Sequence, residues 1–167
     1  LQSIYSGGKC EIGYLCDVDD RRAANSVKRF PKAKYYQDYR ELLDKESKNI
    51  DGVVVSTPDH THAAITMQAM QLGKHVYVQK PLAHNIYEAR MLTEAAKRYK
   101  VVTQMGNQGS SGDGVRQMQD WINAGVIGKV EKVYCWTDRP VWPQGILRPA
   151  AATTIPKELN YDLWLGC

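Results

Sequence analysis

The stretch that decides the fold is DGVVVSTPDHTHAAITMQAMQLGKHVYVQKPLA, residues 51–83. Three consecutive valines at 53–55 form an unbroken β-branched run, which suits a strand buried on both faces of a parallel sheet. Thr57 and Pro58 end that run. Residues 59–73 then carry Ala63, Met67 and Met70 at helical spacing, with Asp59 placed to cap the start and Gly73 at the C′ position. A second apolar strand, 75–78, runs straight into Gln79, Lys80 and Pro81. Strand, helix and strand in this order predict a crossover between parallel neighbours.

The same alternation extends to both sides. CEIGYLC (10–16) predicts a strand over 12–16, and a polar helix follows from about Asp19 to Arg29, stopping before Pro31. AKYY (33–36) reads as a short strand and YRELLDKES (39–47) as a helix. NIYEARMLTEAAKRYK (85–100) predicts a helix with Ile86, Met91, Ala95 and Tyr99 inward. VVTQMG (101–106) follows, with a strand expected at 101–103. The fold class is therefore α/β, a Rossmann-like doubly wound parallel sheet. GVRQMQDWINAG (114–125) is one more helix, and KVEKVYCWTD (129–138) alternates as a half-exposed antiparallel strand does. A boundary is expected near Gly128. It separates a dinucleotide-binding domain, 1–128, from the start of a C-terminal α/β substrate and oligomerisation domain, 129–167.

Composition narrows the function classes. The chain has 167 residues, 43% of them apolar, enough for one domain and part of a second. Its 22 Lys and Arg exceed 18 Asp and Glu by four, and the charges intermingle, as in DVDDRR (17–22). A nucleic-acid binder needs clustered positive charge, so no nucleic-acid partner is expected. Cys10, Cys16, Cys135 and Cys167 offer no C-x-x-C pair, so free thiols and no metal are expected. No apolar run of roughly 18 residues exists to span a membrane. The expected compartment is the cytoplasm, or the periplasm if a signal precedes residue 1.

A doubly wound sheet holds a dinucleotide at a Gly-rich turn after its first strand, and no G-x-G-x-x-G occurs here. CEIGYLCDVD has the character of the second strand instead, with LQSIYS (1–6) as the tail of the preceding helix. The expectation is a sheet with its central strand absent and a gap in the spatial order. Asp17 ends the second strand, where a carboxylate accepts hydrogen bonds from an adenosine ribose. A helix cap or a plain turn residue is the other reading of Asp17. An acid there disfavours a 2′-phosphate, so NAD is expected over NADP, with Arg21 or Arg22 as the route back to NADP.

Taken together, these motifs resemble the Gfo/Idh/MocA (glucose–fructose oxidoreductase/inositol dehydrogenase) family of NAD(P)-dependent oxidoreductases, along nearly the whole chain. LCDVDDRRA (15–23) resembles the family's ribose-binding strand end, and residues 51–83 its signature run with a Thr-Pro turn, a downstream His and a Glu-Lys-Pro motif. TQMGNQGSS (103–111) and RPVWPQG (139–145) are similar to a bacterial subgroup, some exported and some NAD-dependent glycosidases. LNYDLWLG (159–166) resembles the segment leading into the family's substrate domain.

The resemblance implies that Lys80 is catalytic, beside the nicotinamide and the substrate hydroxyl. An amine there can hold the substrate oxygen and relay its proton as hydride leaves carbon. Pro81 restricts Lys80 to extended backbone and aims it. A lysine merely reaching solvent at the sheet rim is the alternative. Gln79 departs from the family's Glu and removes the charge of that position. The implied cofactor-binding set is Asp17, Thr57, Pro58, His62, Gln79, Lys80, Pro81, Asn107 and Gln108; Trp142, Gln144 and Arg148 join Lys80 toward the substrate. Thr57 and Pro58 also read as a helix-initiating turn, and the loop residues as loop anchors. His60 and His62 point apart at i, i+2, so they share no metal.

The implied activity is hydride transfer between NAD and a sugar or cyclitol hydroxyl carbon, by a homo-oligomer when full length. Two alternatives stand beside it: an NAD-dependent glycosidase using transient oxidation and elimination, and a non-catalytic NAD-binding protein. The family's further catalytic Asp or His is expected past Cys167.

Overall fold

The computed structural model describes residues 8–138, 143–148 and 153–166. Among them the chain forms two compact units, 1–106 with 155–167, and 107–154. The units divide after Gly106, and the position expected for the domain boundary, Gly128, lies within the second of them. The tail from Ile155 onward returns to the first unit, because its backbone hydrogen-bonds there: Asp20 N donates to Glu158 O at 3.1 Å and Asn160 N to Val18 O at 2.9 Å.

The first unit alternates strand and helix. The order is β1 (Tyr14–Cys16), α1 (Asp20–Arg29), β2 (Lys34–Tyr36), α2 (Tyr39–Glu46), β3 (Gly52–Val55), α3 (His62–Gln71), β4 (His75–Gln79), α4 (Ile86–Tyr99) and β5 (Thr103–Gly106), with α6 (Tyr161–Leu165) in the returning tail. All ladders are parallel: Cys16 pairs Tyr36, Val55 pairs Val78, and Gln79 pairs Gly106. The fold is Rossmann-like, and β1–β2 and β3–β4–β5 form separate sheets. The gap predicted from the sequence therefore falls between β1 and β3.

Several local expectations are corrected. β5 starts at Thr103 rather than 101, where Val101 is still bonded to the end of α4 through its N–H to Ala96 O at 3.3 Å. Asp59 does not cap α3. It opens a 3-10 turn, Asp59–Thr61, with Pro58 before it, and no side chain caps either element. β3 is not buried on both faces: Val55 is enclosed, but Val54 is 36% exposed, because one face looks onto the gap. In α4 Ala95 and Tyr99 face the core as expected and Leu92 joins them, while Ile86 and Met91 point to solvent. Gly73 has φ +72°, the left-handed geometry expected of a helix C′ residue.

The core lies between α3, α4 and the three-stranded sheet. Val55, Ile65, Ala69, Met70, Val76, Val78 and Leu92 pack into one cluster. Each fully buried aliphatic side chain there contributes about 1.5–3 kcal/mol by leaving water.

The two-stranded sheet is tied to α2 by Glu46, a carboxylate only 6% exposed. It accepts from Lys34 Nζ at 2.7 Å, Tyr36 Oη at 2.8 Å and Tyr14 Oη at 3.0 Å. The Lys34 ammonium, then the Tyr36 hydroxyl, hold the Glu46 carboxyl down to about 2, and the same bond raises Lys34. A depressed carboxyl stabilises the folded state above its unfolded value of 4.5, and that contribution is lost as pH falls toward about 2. Glu46→Gln is expected to lower stability most above pH 5, with the gap to the parent closing toward pH 2. Urea unfolding across that range measures it, and a gap independent of pH refutes the role given to Glu46.

The second unit holds a 3-10 turn, Gln108–Ser111, and α5 (Asp113–Asn123). The antiparallel strand expected over 129–138 is absent. These residues have no ladder partner among the described residues, and a lone strand cannot satisfy its own backbone. Among the described residues no helix is long and apolar enough to cross a membrane.

Candidate cofactor and active site

The gap between the two sheets is a cleft of ≈ 1490 Å³, open to solvent. Asp17 and Val18 line it from the end of β1, and Ser56, Thr57 and Pro58 from the end of β3. Both ends meet the returning tail. Leu159 bridges Asp19, and His60 Nε2 lies 2.8 Å from the Trp164 carbonyl oxygen with the two rings edge to face. The ends of β1 and β3 therefore open on one rim, the carboxyl edge where α/β sheets bind ligands.

Asp17 sits at this rim, half-buried. Its Oδ1 accepts from Asp19 N at 3.0 Å, and its Oδ2 has no partner among the described residues. The helix-cap alternative goes to Asp19, which accepts from the Arg21 backbone and guanidinium. That pairing with Arg21 holds the Asp19 carboxyl down to about 2. It also occupies Arg21, whose Nη2 lies 2.7 Å from Asp19 Oδ2, leaving Arg22 as the cation of the pair that lines the cleft. A free carboxylate oxygen, a cation and a large cleft fit the adenosine end of a dinucleotide.

Thr57 and Pro58 follow β3, and Lys80 and Pro81 follow β4. Since Val55 and Val78 are ladder partners, the two turns leave adjacent strands at the same edge. Lys80 is exposed, forms a cis peptide with Pro81, and has no hydrogen-bond or ion-pair partner among the described residues. Thr57 and Pro58 line the cleft, whereas Gln79, Lys80 and Pro81 stand beside it on the β4 side.

His62, expected in the cofactor set, lies between two other members of that set, Thr57 and Pro81. Its ring is 0% exposed, with Nδ1 2.6 Å from Pro81 O and Nε2 2.9 Å from Thr57 O. Fully enclosed, its ring meets the backbone carbonyls at the ends of both turns. His60 and His62 do point apart, one to the tail and one inward.

Residues 3–107 match the family model of the Gfo/Idh/MocA oxidoreductases, described as an oxidoreductase family with an NAD-binding Rossmann fold. The chain belongs to this family. It is 28% identical over 121 residues to inositol 2-dehydrogenase of Salmonella typhimurium, covering 71% of this chain and 35% of the relative. It is 32% identical over 129 residues to glycosyl hydrolase family 109 protein 1 of a Shewanella species, covering 72% and 28%. Among solved structures, levoglucosan dehydrogenase in complex with NADH and levoglucosan superposes with a TM-score of 0.62 at 27% identity, covering 71% of this chain and 31% of that one. The chain thus spans about a third of the length of the curated relatives it matches.

For this Gfo/Idh/MocA chain the remaining expected residues divide by unit. Gln79 ends β4, intermediate in burial, opposite Gly106. Asn107 and Gln108 come directly after β5 in the chain, both exposed, and begin the second unit. Gln144 and Arg148 are exposed residues of that unit. Trp142 lies outside the described residues. Sequence reasoning missed the tail, whose Trp164 and Asp162 line the cleft. The Asn160 cap, which accepts from Leu163 N at 3.2 Å, was the local signal for a helix there.

Proposed function

We propose that this chain is the cofactor-binding part of an NAD-dependent oxidoreductase acting on a sugar or cyclitol hydroxyl carbon. The observation that carries the reading is Lys80: exposed, without a partner among the described residues, and on the turn next to the Thr57 and Pro58 rim. Asp17 Oδ2 holds the adenosine ribose, and its charge favours NAD over NADP. Arg22, on the same cleft wall, screens the nearby phosphate charge. Bound NAD supplies the hydride acceptor. In its amine form Lys80 Nζ would accept the substrate hydroxyl's hydrogen bond and take its proton as the C–H hydride passes to the cofactor, so that the carbon becomes a carbonyl. Pro81 restrains the backbone that aims this side chain. Gln79 contributes a hydrogen bond without charge, and the family resemblance assigns Asn107 and Gln108 to the cofactor as well. Trp142, Gln144 and Arg148 recognise sugar hydroxyls and faces. The inositol and levoglucosan dehydrogenases among the relatives support polyols and sugars as the substrate class.

A second reading is favoured by the family 109 glycosyl hydrolase relative. In it the same site oxidises a sugar hydroxyl transiently, the aglycone is eliminated, and the hydride returns. The protein at its natural length, incubated with NAD and a panel of cyclitols, sugars and aryl glycosides, separates the two. NADH accumulating with a polyol supports the dehydrogenase; aglycone release without net NADH supports the glycosidase. Neither signal with any member, while NAD binds, leaves a binding protein and overturns both.

A further inference from the structure

His62 joins the two turns that define the site. Its Nδ1 is 2.6 Å from the Pro81 carbonyl oxygen and its Nε2 is 2.9 Å from the Thr57 carbonyl oxygen. A carbonyl oxygen only accepts. An imidazole with one hydrogen satisfies one of these contacts and sets a lone pair against a lone pair at the other. The ring is wholly enclosed, where an unsatisfied polar contact costs most. Only the form with hydrogen on both nitrogens donates twice. Among the described residues no carboxylate bonds this ring, so its charge is met by the two carbonyl dipoles, and short charge-assisted bonds offset part of the cost of enclosing it.

We propose that His62 is a positioning residue, an imidazolium whose two N–H groups clamp the Pro81 carbonyl to the Thr57 carbonyl and so fix the turn that carries Lys80. The functional half of this inference rests on the role proposed for Lys80; the charge state does not. The clamp acts through backbone at the ends of adjacent strands, and Val55 and Val78 hold those strands in register below it. Among the described residues, the β3–β4 ladder is what would still tie the Lys80 turn to the Thr57 turn without it. A misplacement on the order of 1 Å at a reacting group is enough to cost about 10²-fold in rate.

Two measurements test this. The first is NMR of the full chain labelled with ¹⁵N in the histidine rings, with His62 assigned by through-bond correlation to its own backbone. Hydrogen on both ring nitrogens at neutral pH, exchanging slowly, is expected. A bare nitrogen on His62 overturns the imidazolium. The second is His62→Gln in the protein at its natural length, a change that leaves a single amide able to reach one carbonyl. The expected result is kcat per folded molecule lower by at least about tenfold, with NAD affinity within about twofold. A kcat unchanged per folded molecule overturns the positioning role. If that variant does not fold, the ring-nitrogen result on the parent still decides the clamp. If Lys80→Met leaves kcat intact while His62 carries both hydrogens, the catalytic reading fails and the clamp stands.

Discussion

Lys80→Met is expected to lower kcat by roughly 10²–10⁴, the usual loss when a positioned acid–base group is removed. That is about 3–5 kcal/mol of transition-state stabilisation. Met keeps much of the stem and removes the nitrogen that holds and takes the proton. Lys80 is exposed and has no partner among the described residues, so no ion pair of the fold is broken. Stability and NAD affinity should therefore stay close to the parent. The measurement is kcat of the protein at its natural length on its best polyol or glycoside, with NAD titrated in parallel. A fall of less than about threefold with NAD still bound makes Lys80 a rim lysine and ends the catalytic assignment. A collapse of NAD binding makes it part of the cofactor pocket instead.

Asp17→Ala carries the second large effect. NAD should bind more weakly by about 1–3 kcal/mol, roughly fivefold to 150-fold, and NADP should change much less. One complication is local: Asp17 Oδ1 accepts from Asp19 N, so Ala also removes a bond that shapes the turn. Asp17→Asn keeps an acceptor for that bond while removing the charge. If charge sets the preference, Asn shifts the NAD to NADP ratio nearly as far as Ala does. Calorimetric titration of both cofactors measures this. Equal affinities in the parent, unchanged in both variants, refute the role of Asp17.

Both predictions rest on strand ends, and strand ends were readable before any coordinates. The valines at 53–55 and the run at 75–78 are apolar, β-branched and bounded by turn residues, so their strand character is local. Their order fixed parallel pairing, and β3 and β4 do pair in parallel. Asp17, Thr57 and Lys80 were placed at the carboxyl edge because each follows such a strand. The gap beside β1 was legible too, from the lack of a Gly-rich turn.

Other features depend on partners distant in sequence. Ile86 and Met91 are apolar and helically spaced, yet the core cluster lies on the Leu92 and Ala95 side. Helical periodicity gives a stripe but not its direction. The 129–138 segment has the right alternation for a strand, but a strand exists only through its neighbour, and the described residues supply none. The return of the tail was hidden for a related reason: backbone hydrogen bonds from 158–160 to 18–20 join residues too far apart in the chain for any local signal to connect them.

His62 marks the line most clearly. Its spacing from His60 told, from sequence alone, that the two rings diverge. That His62 is enclosed, and that both nitrogens end on carbonyls at residues 57 and 81, follows only from closing a helix over two strand ends. The sequence determined which residues stand at the edge of the sheet, because period and turn chemistry are local. The tertiary structure decided which of them face the cleft and which brace it from behind, because burial is a property of the packed chain and not of any segment within it.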